Sequence, residues 1–295
     1  MIARRSLAST LAVVLLAGLV AAAGVAWFAA RMPVSPFDRE RSAAQAPSDE
    51  LVRRGEYVAR LADCVACHST PSSAPFAGGL EMATPMGSIY ATNITPDKAT
   101  GIGDYSLADF DRALRHGVAR DGHRLYPAMP YPSYAKFGDE DVRALYAFFL
   151  RQVRPVPQRN APSRIPWPLN MRWPLALWNA AFTEPGSYRA KATGDAQWNR
   201  GAYIVQGPGH CGSCHTPRGA AMNEKGLDES SPLYLAGALL DGWYAPSLRG
   251  DEYRPRALER GRGRAVPEDR PQPPRRRLRL DDRRLQQFDP VHDRR

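Results

Sequence analysis

Cysteine is scarce in this chain, four residues in 295, and none stands outside two short motifs. That scarcity excludes the disulfide framework that staples many small exported domains. A nucleic-acid-binding surface is also missing. The formal net charge is +10, but fourteen arginines face nine acids in 251–295, so half of the excess sits in the final forty-five residues. No basic stretch interleaved with aromatics occurs elsewhere. No constellation of side chains suggests oxidation of an organic substrate by this chain alone.

What the cysteines do form is specific. Cys64-Val-Ala-Cys-His68 and Cys211-Gly-Ser-Cys-His215 are two copies of CxxCH, the attachment code for c-type haem. In it the thiols of Cys64 and Cys67, or of Cys211 and Cys214, add to the porphyrin vinyl groups, and His68 or His215 offers iron its proximal nitrogen. A lone CxxC could be a redox dithiol or half of a zinc site. Two full copies that use every cysteine favour haem, so the cofactor expected is haem c at two covalent sites. Arg54-Gly-Glu-Tyr-Val58 precedes the first copy and Arg200-Gly-Ala-Tyr-Ile204 the second, an internal repeat with a period near 147 residues. Leu51, Val58 and Leu61 recur at helical spacing behind Ser48, a candidate N-cap. Gly55 within that helix costs about 1 kcal/mol against alanine, and its recurrence as Gly201 predicts close packing of another helix.

The first thirty residues supply the address. Met1–Arg5 is a short basic start, and Leu7–Ala30 is apolar or small except for Ser9 and Thr10. Such a run can span a bilayer, with Trp27-Phe28 near the far interface and Arg4 and Arg5 keeping the N-terminus in the cytoplasm. A cleaved signal peptide with a small-residue site at Ala21-Ala-Ala23 is the other reading. Either way, residues beyond Arg31 are expected at the periplasmic side of the inner membrane, where CxxCH motifs receive haem. The expected organisation is 1–31 anchor or signal, 32–47 linker, 48–152 first haem domain, 153–192 strap, 193–250 second haem domain, truncated, and 251–295 tail.

With 27 prolines in the chain, long irregular loops are expected around the cofactor. Pro71–Pro75, Phe76-Ala-Gly-Gly79 and the stretch holding Met86, Asn93 and Pro96 all read as loop. Ser106 should cap a helix running to Arg115, and Asp139–Arg151, with Val142, Leu145, Phe148 and Phe149, should form a helix that crosses the one containing Gly55. A sixth iron ligand is needed for electron shuttling. Met129, between prolines in Leu125-Tyr-Pro-Ala-Met-Pro130, is the candidate, with Met82, Met86, His116 and His123 as competitors.

These residues resemble the multi-haem cytochrome c subunits of bacterial membrane-bound dehydrogenase complexes of the alcohol, aldehyde and gluconate type. The stretches that carry the resemblance are Ala83–Gly87, Thr92–Pro96, Gly101–Tyr105, Asp121–Pro132, Trp167–Trp173 and Gly207–Cys211. The resemblance implies a mostly α fold of tandem class I c-type cytochrome domains, with Met129 as an iron ligand. It also implies an electron-transfer role between a catalytic dehydrogenase subunit and membrane quinone or a terminal oxidase. Family members usually hold three haem modules, whereas this chain holds one complete module and part of another.

In the second half Asp195–Gln206 should be the helix leading to Cys211. No methionine follows in a suitable place, because Met222 lies only seven residues beyond His215. Trp167, Trp173 and Trp178 either pack between the haem domains or form a peripheral loop. An open second haem with peroxidase-like activity, or an inert fragment, would also account for the missing ligand. From Asp251 the composition turns to Arg, Pro, Asp and Gln without hydrophobic period, which reads as a disordered basic tail. Reread from the second base of each codon, with synonymous choices, Tyr253–Arg283 can encode a capped helix followed by a Gly-Ser-Met loop. The expected finding on resequencing the DNA is therefore a frame slip between Gly250 and Tyr253. A stop codon in the shifted frame, or loss of its Gly-Ser-Met, rules it out.

Overall fold

A computed structural model of the chain describes residues 2–40, 47–240 and 242–249; the tail at 251–295, and with it the expected frame slip, lies outside them. The described residues are rich in helix, as expected. Helix α1 (Ile2–Ala30) is followed by α2 (Asp49–Leu61), the single turn α3 (Cys64–Cys67), strands β1 (Glu81–Thr84) and β2 (Gly87–Tyr90), and α4 (Leu107–His116). Then come α5 (Tyr131–Tyr134), α6 (Asp139–Arg151), α7 (Pro174–Phe182), α8 (Ala196–Gln206), the short α9 (Gly212–His215), and strands β3 (Ala238–Leu240) and β4 (Trp243–Ala245).

The helices start where local chemistry dictates. The Ser48 hydroxyl accepts the Leu51 N–H at 3.2 Å, with Asp49 and Glu50 placed against the positive end of α2. Ser106 and Asp109 form a reciprocal capping box on α4, and Gly117, left-handed at φ 62°, ends it. Asp195 caps α8 by accepting the Trp198 N–H at 2.7 Å. Three acids open α6 and Arg151 closes it.

The core of the first half forms where α2 crosses α6. Val58, Phe137, Val142, Leu145, Phe148 and Phe149 are buried there. Gly55 sits at the crossing, where an added Cβ would lie 1.9 Å from the Ala144 carbonyl oxygen. The repeat at Gly201 has a different outcome. Among the described residues nothing comes within 4 Å of a Cβ there, because the second half lacks a described counterpart of α6.

Two loop expectations are corrected. Residues 81–90 form an antiparallel hairpin, pairing Glu81 with Tyr90 and Thr84 with Gly87 around a tight turn at Pro85-Met86. A second hairpin, β3 with β4, pairs Ala238 with Ala245. Residues 33–40, expected as part of a spacer, are packed onto the first half instead. Phe37 is buried in the core, Arg112 donates to the Pro33 carbonyl at 2.9 Å, and Arg112 and Arg143 pair with Asp38 and Glu40. The aromatic ring outweighs the linker-like composition around it, since burying such a side chain is worth ~1.5–3 kcal/mol.

The halves meet through named contacts. The Tyr203 hydroxyl of α8 donates to Asp141 of α6, whose other oxygen accepts Arg54 Nε at 2.9 Å. The Tyr188 N–H reaches the Lys136 carbonyl at 2.9 Å. Trp178 of α7 stacks edge-on against Tyr131 and donates through its indole to the Ala221 carbonyl at 2.8 Å. Of the strap tryptophans Trp178 therefore packs between the halves, while Trp167 and Trp173 are exposed.

The two glycines separate packing from propensity. Gly55→Ala is expected to destabilise the chain by about 1–3 kcal/mol through overpacking, and Gly201→Ala to leave it unchanged or gain up to ~1 kcal/mol from helix propensity. Thermal unfolding of the two variants checks both signs.

Candidate haem sites

Each CxxCH motif is presented by the same local structure. The residue before the first cysteine has left-handed backbone, Asp63 at φ 50° and His210 at φ 38°; aspartate and histidine are among the side chains that tolerate this region. The following turn places both thiols and the histidine at one helix end. His68 Nδ1 lies 2.7 Å from the Thr92 carbonyl oxygen, and His215 Nδ1 lies 2.7 Å from the Pro246 carbonyl oxygen. A carbonyl can only accept, so each Nδ1 carries the proton and each Nε2 keeps its lone pair for a metal.

The loop after each histidine repeats too. The Ser69 hydroxyl accepts the Phe76 N–H at 2.9 Å, and the Thr216 hydroxyl accepts the Leu235 N–H at 3.1 Å. Phe76 and Leu235 are both left-handed, at φ 65° and 56°. Gly78 and Gly237, at φ 77° and 89°, then donate their N–H groups to the carbonyls of His68 and His215 at 2.7 and 2.8 Å. At Gly78 a Cβ would lie 2.6 Å from the Thr92 oxygen, so only glycine lets the loop fold back beside the histidine. These partners escaped the motif reading. Their signal is faint: Phe76-Ala-Gly78 repeats as Leu235-Ala-Gly237, and Tyr90-Ala91 as Tyr244-Ala245, but with different spacing from the cysteines.

The residues present fit a covalently attached haem. All four thiols are unpaired and at least partly accessible. Burial pushes the Cys64 thiol up to about 12 and raises Cys67 and Cys211 as well, which disfavours the reactive thiolate that a redox dithiol requires. Among the described residues no three His, Cys, Asp or Glu side chains converge as a zinc site would need. The His68 ring is half-buried, and desolvation lowers its pKa against the hydrogen bond to Thr92.

Met129 lies on the loop between α4 and α5. It is half-buried and packs against the same core cluster as Cys64, Phe76 and Ile94. The other candidates lie on separate elements, with His116 at the end of α4. Met82 is on β1 and Met86 is exposed at the hairpin turn, while His123 pairs with Asp121 at 2.5 Å in an exposed turn. Met222 is left-handed at φ 60° in a tight turn closed by the Gly219 N–H on the Asn223 carbonyl.

The two motifs are neighbours. Repulsion from Cys214 adds to burial and Asp63 in raising the Cys67 thiol, so the thiols of different motifs are within electrostatic reach. Tyr134 bridges them, donating to the Ala62 carbonyl at 2.8 Å and meeting the His210 ring edge-on at 5.6 Å.

A helix-rich chain with two equivalent cradles of this kind is a c-type cytochrome. No family model matches it. It is 59% identical over 208 residues to the gluconate 2-dehydrogenase cytochrome c subunit of Pantoea cypripedii, covering 69% of this chain and 47% of that protein. It is 53% identical over 213 residues to the cytochrome c subunit of the quinone alcohol dehydrogenase of Komagataeibacter europaeus, covering 70% of this chain and 46% of that protein. A diheme c-type cytochrome of Cereibacter sphaeroides is 36% identical over 239 residues, covering 79% of this chain and 75% of the relative. The chain thus belongs to the c-type cytochromes; it is similar to cytochrome c subunits of bacterial dehydrogenase complexes and spans about half the length of the first two of these relatives.

Haem loading tests the two cradles separately. Cys64→Ser with Cys67→Ser, and Cys211→Ser with Cys214→Ser, are each expected to remove one covalent haem from the intact mass and leave the other. A mass unchanged in either pair shows that its motif carries none.

Proposed function

We propose that this chain is a one-electron carrier built of tandem class I cytochrome c domains at 48–152 and 193–250. It takes electrons from a catalytic dehydrogenase subunit and passes them toward membrane quinone or a terminal oxidase, on the periplasmic side of the inner membrane. The observation that carries this reading is the duplicated histidine cradle with its two motifs side by side. Relatives named as gluconate, alcohol and fructose dehydrogenase cytochrome subunits support it.

When bound, haem supplies reversible one-electron chemistry at iron. The chain's own residues do the rest. Cys64, Cys67, Cys211 and Cys214 would hold the group covalently; His68 and His215, each aimed by a backbone carbonyl, would offer Nε2 to its iron. Met129 would offer its thioether sulfur to iron at the first site. A thioether ligand would raise the potential of the bound group and restrict its access to small ligands, which suits a carrier. Half-buried apolar side chains that pack against the same core as Met129, Phe76, Ile94 and Leu114 among them, would help to keep water from the site. Helix α1 contains an apolar stretch, Val13–Ala30, long enough to cross a membrane. Its proposed role is to hold the carrier at the membrane surface.

The ligand assignment is tested on the haem-loaded full chain. Met129→Ala is expected to turn the first haem high-spin, and Met129→His to restore a low-spin haem at a potential lower by on the order of 0.1 V or more, within the ~0.8 V range that axial ligands span. Spectra and potentials unchanged in both variants would falsify the assignment of Met129.

A further inference from the structure

The strap between the two haem-bearing halves carries a large exposed apolar surface close to the end of α1. Trp167 is 78% exposed, Leu169 51%, Trp173 48% and Leu177 42%. Several large apolar side chains exposed within one short strap mark an interaction surface. From the reading of α1 as a membrane helix proposed above, we infer that this face rests in the headgroup and upper acyl region of the bilayer that α1 crosses, fixing the orientation of both haem sites.

The level of the bilayer surface can be placed on the molecule. Val13–Ala30 is exposed along its length except at Ala29, which is half-buried. At ~1.5 Å per residue it is about 27 Å long, close to the ~30 Å hydrocarbon thickness. Its last turn ends with Trp27, exposed, and with the Arg31 guanidinium 4.5 Å above the indole ring. Such an aromatic and cation pair is typical of the interface.

The strap is tied to that level by short polar links. Arg124 donates to the carbonyls of Ala29 and Arg31 at 3.4 and 3.0 Å. Arg172 of the strap donates to the Arg124 carbonyl at 2.9 Å, and its guanidinium lies 3.7 Å from the centre of the Tyr126 ring. Helix α7, which carries Leu177, packs directly against α1. The packed segment 33–40 keeps this arrangement from swinging on a flexible tether, since Phe37 is buried in the core.

Charge fits the same occupant. From Gln152 to Thr183 there is no Asp or Glu, while Arg154, Arg159, Arg164 and Arg172 are all basic. A strap of tryptophan, leucine and arginine whose own sequence holds no acid suits zwitterionic and anionic phospholipid, with indoles at headgroup depth and guanidinium groups on phosphate.

The test places benzoylphenylalanine, one site at a time, at positions 27, 167 and 173 of the haem-loaded full chain. The chain is reconstituted in vesicles of phosphatidylethanolamine and phosphatidylglycerol, illuminated, and mapped by mass spectrometry. Lipid adducts at all three positions are expected. Adducts at 27 but none at 167 or 173 overturn the inference while leaving the membrane helix standing; none at 27 either overturns both. Repeating the reaction in membranes that also contain the dehydrogenase subunit addresses the other occupant, and cross-links from 167 and 173 to that subunit in place of lipid overturn the inference.

Discussion

One hydrogen bond, made twice, organises the chemistry of this chain: a histidine Nδ1 against a backbone carbonyl at 2.7 Å. It chooses the tautomer, fixes the ring plane and leaves Nε2 as the only lone pair available. The carbonyl that does this comes from residues well downstream, Thr92 and Pro246. The chain must therefore leave each motif, turn and return beside it. The returning loops need left-handed backbone at Phe76, Leu235, Gly78 and Gly237, and the hairpins β1–β2 and β3–β4 lead directly into the two carbonyls. Much of the irregular structure serves to bring one oxygen back to one imidazole.

The helical frame sets where that loop begins. In the first half α2 and α6 cross so closely that backbone touches backbone at Gly55 and Ala144. The crossing buries Val58, Leu145 and Phe148 together and points the end of α2 at Cys64. Asp141, at the start of α6, adds a second task. It takes Arg54 from α2 on one oxygen and Tyr203 from α8 on the other. Burial and that carboxylate raise the Tyr203 hydroxyl pKa, so the phenol stays a donor and the link between halves persists across ordinary pH.

How much of this was legible in the sequence depended on the range of the interaction. The caps at Ser48 and Ser106, the helix Asp139–Arg151 and the helix leading to Cys211 are set by neighbours a few residues apart, and all were readable. The first hairpin was hidden because the stretch holding Met86 read as irregular, although Pro85-Met86 is the tight turn between two paired strands. Residues 33–40 read as a spacer because their composition is prolyl and polar; only the tertiary placement of Phe37 makes them part of the core. Gly201 misled for the opposite reason. A repeated sequence implied a repeated packing partner, but a repeat guarantees the local helix and not the neighbour that covers it. The carbonyl partners of His68 and His215 were invisible because they lie 24 and 31 residues away and use backbone, which any residue supplies.

The closeness of the two motifs has a physical consequence for a carrier. Electron transfer between redox groups requires their separation to be held constant, and the elements holding it must not move when a charge arrives. Tyr134 meets that demand with one side chain. It belongs to α5, immediately after the Met129 loop, its hydroxyl is bonded to the residue that ends α2, and its ring edge lies against His210 at the start of the second motif. Burial drives its pKa well above the usual phenol range, reinforced by repulsion from Cys64, Cys67 and Asp63, so no proton is lost there at physiological pH. A movement of either motif would have to break that bond or open a void in the core beside Phe137, and well-packed interiors resist both. The same side chain that belongs to the first core thus ties the two CxxCH turns together.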